Sequence, residues 1–138
     1  MQIDTSTPFG ARVARRLEED IVIWMVTVRP DGTPEPSPVW FYWDGESFVI
    51  YSLPDTAREK NLQRNPHVAL HFDSTRGGDV VIFTGEAQVE KDAVPAKDHP
   101  GYAQKYAAEF TRIGSTPERF SLHYSLPLRV RPAKLRGH

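Results

Sequence analysis

The segment "PEPSPVWFYW", residues 34 to 43, limits the fold more than any other stretch of the chain. Pro34, Pro36 and Pro38 fall two apart, so in an extended strand their missing N–H donors all face the same side. A neighbour on that side would find no donors. The segment therefore belongs at an edge or an irregular strand start, not in the middle of a sheet. The turn "PDG" at 30 to 32 precedes it and "DG" at 44 and 45 follows it, which makes it one stave of an antiparallel meander.

The rest of the chain supplies further staves. "IVIWMVTVR" from Ile21 is apolar at both alternating sets of positions, so it reads as a strand buried on two faces. "ESFVIYS" is a third strand. "HVALHF", a "STRGGD" turn and the long "VVIFTGEAQVEK" follow, and "LPLRVRPAKLR" is the last. Thr7-Pro8 opens a first helix through "PFGARVARRLEED". A second spans 57 to 65 and stops at Asn65-Pro66. "YAQKYAAEFTRI" sets Ala103, Tyr106, Ala107 and Phe110 on one helical face, and Gly114 closes it. Thr116-Pro117 opens another helix through about Tyr124. No repeat or second domain interrupts residues 1–138. Six strands with tight turns and helical additions describe a single-domain, mainly β protein built on a small β-barrel.

Several function classes are excluded. Seventeen basic residues against eighteen acidic give a net charge of −1, without the positive excess that nucleic-acid binding needs. Without cysteine there is no disulfide, thiolate chemistry or cysteine-based metal site. His67 and His71 sit four apart on a strand, about 13 Å from each other, so no metal centre is expected. No dinucleotide-binding, phosphate-loop or nucleophile-elbow motif occurs. The basic residues Arg129, Arg131, Lys134 and Arg136 read as the charged guard of an edge strand. With no apolar run longer than Ile21 to Val26 and no secretory leader pattern, the expected location is the cytoplasm.

One segment retains chemical interest. In "SLPDTAREKNLQRNP", Thr56 and Glu59 form a capping box that makes Thr56 the N-cap, with Arg58 at N2 and Lys60 at N4. A helix N-terminus carries partial positive charge and repels cations. Two bases there are either solvated side chains offset by Asp55 and Glu59, or part of an anion site. Ser52, Thr56, Arg58, Lys60 and Asn61 would supply that site with hydroxyls, cations and an amide.

The ordered series "PDG", "P-V-W-F", "DG", a hydroxyl-x-x-x-x-N-L helix and a closing "NP" resembles the pyridoxamine-phosphate-oxidase-like, FMN-binding split-barrel superfamily. Its closest likeness is to the actinobacterial branch that uses the 8-hydroxy-5-deazaflavin coenzyme F420 instead of FMN, and "YAQKY", "TPERF" and "YSLPLRVRPAKLRG" are similar to the C-terminal half of one subgroup there. Relatives usually carry lysine where this chain has Arg58, while Lys60 stands just before the Asn.

The resemblance implies a six-stranded split β-barrel homodimer with cofactor grooves shared between subunits. Arg58 and Lys60 would hold the cofactor phosphate, Ser52 and Thr56 would add hydroxyl bonds, and Asn61 would fix the loop. Pro38, Val39 and Trp40 would border the tricyclic ring, and Ser37 would join them in binding the cofactor. The implied activity is an F420-dependent oxidoreductase, moving a hydride between the deazaflavin and a small electron-poor molecule. The alternatives are an FMN-dependent oxidase or reductase of the same fold and a non-catalytic cofactor carrier. No catalytic side chain is assigned, because the cofactor carries the hard step.

Overall fold

The computed structural model describes residues 1–138. Strands β1 (Val22–Val28), β2 (Pro34–Trp40), β3 (Tyr42–Trp43), β4 (Phe48–Ser52), β5 (His67–His71), β6 (Val81–Val89) and β7 (Leu126–Gly137) form one curled antiparallel sheet in the order β2-β1-β5-β6-β7-β4-β3. Helices α1 (Pro8–Glu19), α2 (Ala57–Arg64), α3 (Pro100–Arg112) and α4 (Pro117–His123) pack around it.

The proline-rich strand β2 does lie at an edge, bonded only to β1. The expected single strand from Pro34 to Trp43 is divided at Phe41, however, and β3 lies at the opposite edge of the sheet. One residue thus joins the two edges. The cause is a long-range contact: the Tyr106 hydroxyl accepts from the Phe41 N–H at 2.7 Å. The Phe41 carbonyl accepts from Lys105 Nζ at 3.0 Å. Both backbone groups leave the ladder for side chains of α3.

Inside the curl, α1 contributes Val13 and Leu17 to a core with Ile23, Met25, Phe48 and Phe83. Thr7 caps α1 by accepting from Gly10 N–H at 2.9 Å, with Pro8 at the first helical position. Gly85 marks a register shift between β6 and β7, where a Cβ would stand 2.7 Å from Pro132 Cα. The bulge bends the sheet.

Outside the curl, α3 and α4 bury a second cluster, Tyr102, Tyr106, Phe110 and Phe120, against Val49 and Tyr51 of β4. The face of α3 is set by its three large rings. Ala107, expected on that face, is exposed. Strand β4 is consequently buried on both sides. On β1, Ile23, Met25 and Thr27 are buried, while Trp24, Val26 and Val28 on the other face are only partly covered.

The reading of the C-terminal strand as an edge holds for its second half only, since Leu126–Val130 pairs with β4 whereas Arg131–Gly137 pairs with β6 alone. β7 lies between β6 and β4, and Arg129 is bonded to Glu90 at 2.6 Å and Asp44 at 2.7 Å. Arg131 also reaches Glu90, at 3.5 Å, while Lys134 and Arg136 stand on the half of the strand that β4 leaves uncovered.

Candidate functional site

Strand β2, helix α2 and the α3–α4 pair enclose a cavity of about 640 Å³. Each wall has a separate cause. The α2 wall begins at Thr56, whose Oγ accepts from Glu59 N–H at 3.3 Å, while the Glu59 carboxylate accepts from Asp55 N–H at 2.7 Å. This reciprocal capping fixes the first turn. Asp55 takes φ +61°, a left-handed conformation that aspartate tolerates better than most residues. Asn61, buried, then ties the helix to the sheet by donating to Thr27 Oγ at 3.1 Å and Glu35 Oε1 at 3.0 Å.

That docking turns Arg58 inward. Its guanidinium donates to Ser52 Oγ at 2.7 Å and to Ser37 Oγ at 2.6 Å, so it spans β4 and β2. No carboxylate lies within ion-pair distance of it, and its Nε is buried without a hydrogen-bond partner. The contrast with its peers is informative. Of the four partly buried arginines, Arg12 and Arg16 reach Asp79, and Arg129 reaches Glu90 and Asp44. Arg58 has hydroxyls alone. Burial holds its pKa below the ordinary guanidinium value, and only the nearby Tyr124 hydroxyl opposes this. A half-buried, uncompensated cation is costly, and an anion beside it would relieve the cost.

The opposite wall is aromatic. Trp40 stacks on Tyr106 with centroids 4.6 Å apart and 8° between planes, and on Phe120 at 5.3 Å and 11°. Phe120 stacks in turn on Tyr124 at 4.4 Å and 11°. The Tyr51 hydroxyl donates to Val94 O at 2.9 Å, and burial pushes its pKa up to about 12. Tyr102 also lines the cavity. Its hydroxyl is buried without a partner, and burial raises its pKa well above the usual phenol value.

Of the residues singled out in the sequence, Ser37, Pro38, Val39, Trp40, Thr56, Arg58 and Asn61 line this cavity. Ser52 stands just behind, bonded to Arg58. Lys60 is exposed and is not part of the lining. Trp40 presents itself differently from expectation, since its ring planes already pack on Tyr106 and Phe120. Tyr102, Phe120, Tyr124 and Glu35 went unnoticed as site residues. The signal that could have found Tyr102 is its i, i+4, i+8 spacing with Tyr106 and Phe110.

The fold has known counterparts. An F420 reductase is 24% identical, with a TM-score of 0.64 over 88% of this chain and 94% of that one. A candidate pyridoxamine 5'-phosphate oxidase from Listeria innocua is 19% identical, with a TM-score of 0.66 over 91% and 94%. The heme storage protein HutZ from Vibrio cholerae is 18% identical, with a TM-score of 0.65 over 99% and 95%. No curated protein sequence matches. The model of one protein family, described as pyridoxamine 5'-phosphate oxidase, matches residues 9–135. With that match reaching all seven strands and both walls of the cavity, the chain belongs to the pyridoxamine 5'-phosphate oxidase family.

Proposed function

We propose that the protein is an F420-dependent oxidoreductase that passes a hydride between the deazaflavin and a small electron-poor organic molecule. The observation that carries this reading is Arg58: a partly buried guanidinium on the cavity wall, held by two serine hydroxyls, lacking a carboxylate and keeping one N–H unpaired. These are the features of a phosphate or carboxylate seat. Likeness to an F420 reductase and the order of sequence motifs favour the deazaflavin as the molecule bearing that anion.

The residues fit such a group. Arg58 would hold the phosphate, with the hydroxyl of Thr56 and the N-terminal turn of α2 beside it. Ser37 to Trp40 form the strand along which the rest of the molecule would lie. Lys60, on the exposed side of α2, acts at a distance at most. When bound, F420 supplies or accepts the hydride. The chain contributes orientation and exclusion of water, the terms that bring reacting atoms into an aligned pair. Tyr51 and Tyr102 are poor proton sources, because burial raises both phenols. We assign the working form as a homodimer, in which the half-covered face of β1 meets a second copy.

FMN is the alternative, since the Arg58 seat serves its phosphate equally. Titration of the purified protein with F420 and with FMN, followed by fluorescence, decides between them. Preferential F420 binding is expected, and hydride transfer to an electron-poor acceptor should follow. Stoichiometric FMN with indifference to F420 would overturn the cofactor assignment. Tight F420 binding without turnover on any acceptor would make the protein a carrier.

A further inference from the structure

Four buried side-chain atoms lack a hydrogen-bond partner: Arg12 Nε, Asp79 Oδ1, Arg58 Nε and Tyr102 Oη. The first two face each other at 2.7 Å in an ion pair. The other two remain, and both belong to residues lining the same cavity. Orphaned buried groups are rare in folded proteins and each calls for a reason. Here two donors are orphaned together, one cationic on the α2 wall and one neutral on the α3 wall.

The environment of Tyr102 supplies no acceptor. Its ring contacts Tyr51 and Tyr106 at 4.8 Å each and Phe120 at 6.2 Å. The Tyr51 hydroxyl is committed to Val94 O, and the Tyr106 hydroxyl to Phe41 and Ile21. A phenylalanine would fill this place without the penalty of an unpaired hydroxyl. Tyr124 lines the same cavity as both orphans, and its neutral phenol stands near enough to Arg58 and Tyr102 to enter the electrostatics of each. It stands 36% exposed and stacks on Phe120, so it is the cavity ring most open to solvent beside them.

We propose that the Tyr102 hydroxyl is a ligand-binding donor, which holds a ring carbonyl oxygen of the cofactor whose anionic end Arg58 binds. This rests on the reading of the cavity as a cofactor site and deepens it. The ligand must carry an anion at one end and a neutral acceptor on a planar ring at the other. Burial keeps the Tyr102 hydroxyl protonated, so it has a proton to donate to a ring carbonyl.

The test is fluorescence and absorbance titration of the full chain with F420 and with FMN, using wild type, Tyr102→Phe and Arg58→Met, together with the thermal midpoint without ligand. Tyr102→Phe should leave that midpoint unchanged or higher. It should weaken binding about two- to tenfold and shift the bound-ring absorbance towards that of the free ligand. A lowered midpoint without ligand would mean that the hydroxyl is a structural donor, which overturns the proposal. Wild-type affinity and spectrum in Tyr102→Phe, with binding lost in Arg58→Met, overturns it while leaving the anion seat intact. If wild type binds neither probe, both readings fall.

Discussion

Tyr106 is bonded to Phe41 on both sides of one residue: its hydroxyl accepts from the Phe41 N–H at 2.7 Å and lies 2.9 Å from the Phe41 carbonyl. The same oxygen lies 2.6 Å from Ile21 O, so its single proton has two acceptors in reach. Phe41 is where the two edges of the sheet meet, and Trp40 beside it walls the cavity. The Tyr106 hydroxyl therefore fastens the barrel corner and the site together.

Replacing Tyr106 with phenylalanine keeps the stack on Trp40 but strands the buried Phe41 N–H. A loss of about 1–3 kcal/mol in unfolding free energy is expected from urea denaturation. A variant as stable as wild type would show that water replaces the phenol there.

Arg58→Ala and Lys60→Ala should part company. The first removes the cavity cation and is expected to weaken F420 or FMN binding about ten- to hundredfold, the range of a charge-assisted contact. The second removes an exposed base and should leave affinity within about twofold. Equal losses in the two titrations would return Lys60 to the site.

Lys105 gives a pH signature. Burial lowers its pKa to about 8, with Asp20 partly opposing the shift, while Nζ sits 3.6 Å from the Phe41 ring centre. The unfolded chain keeps that proton up to about pH 10.4, so between these values it binds more protons than the folded state. The lysine's contribution to stability accordingly rises with pH across that window. Denaturation of wild type against Lys105→Met should show wild type gaining relative to the variant from about pH 8 upward. A constant difference would place the lysine in solvent.

Gly85→Ala should destabilise the fold by about 1–3 kcal/mol, since its Cβ would stand 2.7 Å from Pro132 Cα and closer still to the Arg131 carbonyl. Calorimetry measures this directly, and a neutral outcome would mean that the bulge relaxes.

In light scattering, the protein should have twice the 15.7 kDa mass of one chain at micromolar concentration. Trp24→Glu, on the half-covered face of β1, should shift the mass towards the monomer. A monomeric wild type would remove the shared groove.

Much of this was legible because local chemistry decided it. The proline spacing placed β2 at an edge, and the Thr56–Glu59 pair set the start of α2 and hence the direction of Arg58. The break at Phe41 was not, because Phe41 continues an apolar strand pattern and only a tyrosine 65 positions away withdraws its backbone from the ladder. The charges of β7 misled for a related reason. Arg129, on the half of β7 that β4 covers, looks like edge protection until Glu90 and Asp44 are seen beside it, whereas Lys134 and Arg136 do stand on the uncovered half. Helical period alone also could not choose between the stripe with Ala103 and Ala107 and the stripe with Tyr102, since both run through Tyr106 and Phe110 and the packing of large rings settles it.

The position of β7 has a consequence for synthesis. Phe48 pairs with Val130 and Ser52 with Leu126, so β4 leaves the ribosome long before its partner exists. Before β7 exists, the native partners available are those of β2-β1-β5-β6 and of β3-β4, and β6 and β4 each lack one neighbour. Pairing of β7 with both is what joins the β3-β4 hairpin, with Ser52, to the rest of the sheet. Chains arrested before Leu126 should remain open to protease at β4, whereas those released with β7 should become resistant in one step.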